Sequence, residues 1–187
     1  MDQRYFVVGE TDFERMMKEA AKVGAVAALE KLGEEKEKQN RDSGKRRLHN
    51  TNLLMKNYRV LKAHANSSIF DASQLQESAS DILINMMSIR DDSMIIDSIQ
   101  RSAERTAIMM AHIDAMLELY RCWCESSSNK LDGRRYDVLY WLYIVDEPMT
   151  VEELAKCHHI SRESVYADKN AAVRTLSMLL FGIDCLK

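Results

Sequence analysis

Between residues 161 and 174, Ser161, Arg162, Glu163, Tyr166, Lys169, Asn170 and Arg174 recur at one-, three- and four-residue steps. On a helix the three- and four-residue steps gather side chains on one face. Arginine carries a planar fork that can donate twice to a guanine edge, glutamate can accept from cytosine, and asparagine, lysine and serine can meet bases or phosphates. The chemistry predicted for this row is reading of double-stranded DNA, with Arg162, Glu163 and Tyr166 at the base edges and Ser161 and Arg174 on phosphates. A two-helix corner with no ligand would expose the same residue types.

Other reactive residues do not assemble into a site. Cys122 and Cys124 are two apart, Cys157 is followed by His158 and His159, and Cys185 stands alone. Residues two apart on a helix point away from each other, and nothing completes a four-ligand zinc set. No metal and no cofactor are therefore expected. His158 and His159 are expected at the corner between two helices. There is no glycine-rich phosphate loop, no nucleophile elbow and no helix-borne His-Glu-x-x-His, so the chain reads as a binding protein and not an enzyme.

The elements that must position the row follow from local signals. Thr150-Val-Glu-Glu153 is a capping box that starts a helix running to about Cys157. Ser161, with Ser164 three residues on, caps the next, to about Phe181. The connection between them is so short that the pair forms a helix-turn-helix. Val151, Leu154 and Ala155 face inward on the first helix, Ile160 plugs the turn, and Val165, Ala172, Val173 and Leu176 face inward on the second. A helix over Arg135–Val145 precedes the pair, and Asp146-Glu-Pro-Met149 makes the turn.

At this point a resemblance emerges. Thr150-Val-Glu-Glu-Leu-Ala with Ile160-Ser-Arg-Glu-Ser-Val-Tyr resembles the promoter-reading fourth region of bacterial sigma factors. The ending Leu176-Ser-Met-Leu-Leu-Phe-Gly182 is similar to phage and prophage transcription regulators of the autolysin-regulator (ArpU-like) type. The resemblance implies base reading by Arg162 and Glu163, and a phosphate or polymerase contact by Arg174. Tyr166 stands where a basic or amidic residue is usual, so the recognised sequence should differ. Asp168 departs from the apolar residue usual at its position.

Composition bounds the rest. One proline and six glycines among 187 residues disfavour an all-β architecture, which needs many such turns. The expected fold is all-α, with long N-terminal helices as an arm or bundle and a C-terminal helix-turn-helix domain. The predicted division is 1–126, a linker at 127–133 marked by Ser-Ser-Asn and Gly133, and 134–187. No apolar run approaches the roughly 20 residues of a membrane span, and no disulfide framework is evident, so a bacterial host cytoplasm is expected.

In the N-terminal part, Thr11 or Asp12 is expected to cap a helix from Phe13 to about Gln39, with a break at Asn40–Gly44. A second helix is expected from Lys45 to about His64 or Ala65, and a third from near Ser73. A fourth, capped by Ser93, should run for roughly 30 residues past Tyr120, about 45 Å. The paired methionines Met16-Met17, Met86-Met87 and Met109-Met110 are expected in the core.

Charge separates partners. The net charge is -3, and residues 134–187 hold seven Lys/Arg against eight Asp/Glu, so the module alone should bind DNA weakly. Between Asp42 and Asp71 there is no acid, while Lys45, Arg46, Arg47, Lys56, Arg59 and Lys62 are basic. Lys45, His49, Asn52, Lys56 and Arg59 form a stripe opposite Leu54, Tyr58, Leu61 and Ala65, which is either a phosphate track or a solvated face. Expected partners are double-stranded DNA, RNA polymerase, and a second copy of the chain through the N-terminal helices, with no membrane. The alternative function is phage DNA packaging, as in a small terminase subunit. A third is a protein-interaction module whose helix pair is purely structural.

Overall fold

The computed structural model describes residues 10–66, 78–101 and 103–182, and all the regular structure among them is helical. Among the described residues eight helices follow one another: α1 Glu10–Lys56, α2 Tyr58–Asn66, α3 Ala79–Ser88, α4 Asp92–Gln100, α5 Ala103–Ser126, α6 Lys130–Tyr143, α7 Val151–Cys157 and α8 Arg162–Phe181. The expected all-α class is met. Chain contacts divide the protein into Met1–Asp42 and Ser43–Lys187.

The expected break at Asn40–Gly44 is absent, because α1 is helical through it. One glycine in a helix interior costs about 1 kcal/mol relative to alanine, which the strong helix formers Glu34 to Gln39 before it and Lys45-Arg46-Arg47 after it offset. The helix also begins at Glu10, ahead of the expected caps Thr11 and Asp12. Its true interruption is Asn57, whose side-chain amide donates to the Leu53 carbonyl at 2.9 Å while its own carbonyl accepts from Leu61.

Farther along, Ser78 caps α3 through a reciprocal box with Asp81. The expected start near Ser73 lies outside the described residues. The cap of α4 is Asp91, not Ser93; its carboxylate accepts from the Met94 amide at 3.1 Å and also takes the Ser93 hydroxyl. The expected 30-residue helix is two. The Ile99 carbonyl accepts from the Thr106 hydroxyl at 3.0 Å, and α5 begins afresh at Ala103.

Within Ser43–Lys187 one apolar core takes side chains from both sides of the expected linker: Leu54, Leu61, Ile82, Met86, Ile99, Met109, Ile113 and Tyr120 with Leu139, Ala172, Val173 and Leu176. A separate domain at 134–187 is therefore not observed. Residues 130–133 belong to α6, and only 127–129 connect it to α5. That connection is pinned, since the Ser127 hydroxyl donates to Asp132 at 2.8 Å and the Cys124 thiol reaches the Asp132 carbonyl at 3.4 Å. A second, smaller core holds Val138, Leu154 and Val165, all fully buried, and joins α6, α7 and α8.

The methionine expectation divides. Met86, Met109 and Met110 are buried and Met87 is half-buried, whereas Met17 is 57% exposed; Met16 is outside the described side chains. In the N-terminal unit Val23 and Leu32 are exposed as well.

Candidate nucleic-acid interface

The corner between α7 and α8 is set by its two caps. The Thr150 hydroxyl accepts from the Glu153 amide at 3.2 Å, and the Glu153 carboxylate accepts from the Thr150 amide at 2.7 Å. That contact holds the Glu153 carboxyl below the usual carboxylate range. At the other end of α7, His158 is the cap and His159 adopts φ 53°, a left-handed conformation that lets the chain reverse. The Ile160 amide then donates to the Ala155 carbonyl at 3.0 Å. Ser161 caps α8 by accepting from the Ser164 amide at 3.2 Å. The two histidines thus shape the corner, as expected of them.

Beneath α8, Val165, Ala172, Val173 and Leu176 are fully buried, which settles its rotation. Ser161, Arg162, Glu163, Tyr166, Asn170 and Arg174 consequently lie exposed, and Lys169 is half-buried. Lys169 places its ammonium 5.6 Å from the centre of the Tyr166 ring, a cation–π contact that aligns both side chains along the outer face. Glu163 lies in the first turn, where its own backbone amide, then the Ser161 hydroxyl, keeps its carboxyl below the usual range. The residues of the predicted row thus all reach solvent, Lys169 in part.

Two features of this surface had no mark in the predicted row. Arg162 pairs with Glu152 of α7 at 2.8 Å, with both side chains more than half exposed. Glu152 follows directly after Val151 in the first turn of α7, so its reach to Arg162 depends on how the two helices cross. The other feature is Asp168, buried on the underside of α8, where Arg134 donates to it at 2.7 Å and Arg135 stands at 3.8 Å. The residue that departs from the sigma-like pattern is thus a polar anchor between α6 and α8. One signal was available: Asp168 falls in phase with Val165 and Ala172, and Arg134-Arg135 is the adjacent basic pair.

The second basic element is less uniform than its charge count. His49 meets Asp92 at 2.7 Å, Arg59 donates to the Val145 carbonyl at 3.4 Å, Arg46 donates to the Met87 carbonyl, and Lys62 pairs with Asp114. Asp114 also accepts from the Tyr58 hydroxyl at 2.6 Å, and burial together with that carboxylate raises the phenol above its ordinary value. Lys45 and Lys56 point outward with no hydrogen bond or ion pair among the described residues. Leu54, Tyr58 and Leu61 form the buried opposite face.

No three His, Cys, Asp or Glu side chains among the described residues come together as a metal set. None of the described helices is long and apolar enough to cross a membrane. No family model matches the chain, and neither a curated protein nor a solved structure matches it.

Proposed function

We propose that α6, α7 and α8 form a DNA-reading helix-turn-helix unit, and that the chain is a sequence-specific transcription regulator of the sigma-like, phage or prophage kind that its C-terminal segment resembles. The observation that carries this reading is the outer row of α8. Arg162, Glu163, Tyr166, Lys169 and Asn170 are carried on the side of α8 away from its buried face, directly after a capped helix start and above an underside that is apolar except for the Asp168 anchor and Ser177.

In this reading the first turns of α8 enter the major groove. The Arg162 fork donates to guanine, and Glu163, ionised at neutral pH, accepts from a cytosine amino group. Tyr166 and Asn170 continue the contact, while Ser161, Lys169 and Arg174 meet phosphates. The Arg162–Glu152 pair opens on binding. A surface ion pair contributes only about 0–1 kcal/mol, less than the ~1–3 kcal/mol of a bidentate base contact. The net charge of the module is too low for strong phosphate attraction, so RNA polymerase, with Lys45 and Lys56 as additional phosphate contacts, supplies the remaining affinity.

The test is a selection from random duplex DNA with the full chain, run with and without polymerase. An enriched site is expected, with Arg162→Ala weakening it about 5- to 150-fold, the equivalent of ~1–3 kcal/mol. Enrichment of no sequence, or an Arg162→Ala protein that binds the enriched site as tightly as the parent, overturns the reading.

A further inference from the structure

Among the described residues, the N-terminal unit carries its large apolar side chains in the open. Val23, Val26, Leu29 and Leu32 of α1 are 64%, 48%, 69% and 61% exposed. Helices in water draw most of their stability from packing an apolar face, so a stretch of this kind is completed by association. The charges around it point to the partner.

Successive residues of a helix are about 100° apart, and among residues 15–38 the charged side chains within roughly 80° of Val26 separate by sign. Arg15, Lys18, Lys22 and Lys36 lie on one side of the Val26 line, and Glu19, Glu30, Glu34 and Glu37 on the other. Val23 and Leu29 lie about 60° to either side of Val26, with Lys22 and Glu30 at about 40° on the basic and acidic sides, and Gly33 lies about 20° from the Val26 line. Residues 15–38 hold six Lys/Arg and five Asp/Glu, so net charge does not oppose self-association.

We propose that this face pairs in parallel with the same face of a second copy of the chain. A two-fold axis along two parallel helices sets the basic edge of each against the acidic edge of the other. An antiparallel pair centred on Val26 would set like edges together. Glu19 is one and three residues from Lys18 and Lys22, an axial offset of about 1.5–4.5 Å, and Glu34 and Glu37 are within about 3 Å of the level of Lys36. Ion pairs between copies thus close both ends of the apolar centre. At Gly33 an added Cβ meets nothing within 4 Å, so the helices can be probed there without strain.

The pairing does not depend on the DNA reading, and its test uses the full chain without DNA. Sedimentation equilibrium should give a dimer, weakened at least tenfold by Val26→Asp with Leu29→Asp. Both positions are exposed, and unchanged circular dichroism at a concentration where the parent is also dissociated verifies folding. Reversing the basic edge alone, Lys18→Glu with Lys22→Glu and Lys36→Glu, should weaken the dimer at least tenfold. Adding Glu19→Lys, Glu34→Lys and Glu37→Lys should restore it. Oxidised Gly33→Cys protein should migrate as a linked pair. A monomer at tens of micromolar, a ring of eight or more chains, no rescue by double reversal, or a dimer in which the introduced thiols do not link each overturns the proposal.

Discussion

Arg134 donates through Nε to the Asp168 carboxylate at 2.7 Å, with the Asp168 side chain 6% exposed and that of Arg134 32% exposed. The pair ties the underside of α8 to α6, and the outward row depends on that rotation being held.

Arg134→Ala should therefore destabilise the fold. Removing one member of a buried pair typically costs roughly 3–5 kcal/mol, and Arg135 beside Asp168 lowers this to about 2–4 kcal/mol. Urea unfolding measures the loss. The combined change Arg134→Met with Asp168→Leu should recover most of it, because no buried charge is then left without a partner.

Glu152 competes with DNA for Arg162. Glu152→Gln should tighten non-sequence-specific duplex binding, since it removes a negative charge from the binding face and releases the guanidinium. A titration across salt concentrations checks this. Lys45→Ala with Lys56→Ala should reduce the slope of log affinity against log salt by about two units. An unchanged slope leaves these two lysines as a solvated face.

Acid should act through the caps. Hydrogen bonds from Ser78, Ser93 and Thr150 hold the carboxyls of Asp81, Asp91 and Glu153 below their ordinary values. A carboxyl depressed in the folded state contributes its stability above the unfolded-state value. That contribution is lost as pH falls through the ordinary carboxylate range to the lower folded value. The melting temperature should fall on acidification from neutrality towards pH ~3, and Glu153→Gln should reduce the size of that fall.

The cysteines should react in a fixed order. Burial and the nearby Asp132 carboxylate push the Cys124 thiol up to about 11, whereas Cys122 and Cys157 are exposed. Peptide mapping after brief alkylation at neutral pH should find Cys122 and Cys157 modified, and Cys124 only after unfolding.

Much of the candidate site was legible because its signals are local. A hydroxyl three residues ahead of a glutamate stabilises a helix start wherever the sequence occurs, so the Thr150–Glu153 box and the Ser161 cap could be read directly. The inward phase of Val165, Ala172, Val173 and Leu176 then fixed which residues of α8 face out. The boundaries of longer elements were less legible. Asn40–Gly44 has the composition of a turn but remains helical, and the unbroken apolar phase from Ile95 to Tyr120 is divided after Gln100. Propensity and periodicity state what is permitted, and packing chooses among permitted states.

By itself the sequence determined the helical class, both caps of the α7–α8 corner and the outward row of α8, because each depends on residues within a turn or two. Only the tertiary structure decided that α6 to α8 share a core with α1 to α5, that Glu152 holds Arg162, and that Asp168 is an anchor to Arg134. Those outcomes depend on which helices lie side by side. Asp168 and Arg134 are 34 residues apart, and only the folded chain brings their charges close enough, and far enough from water, to bind one another.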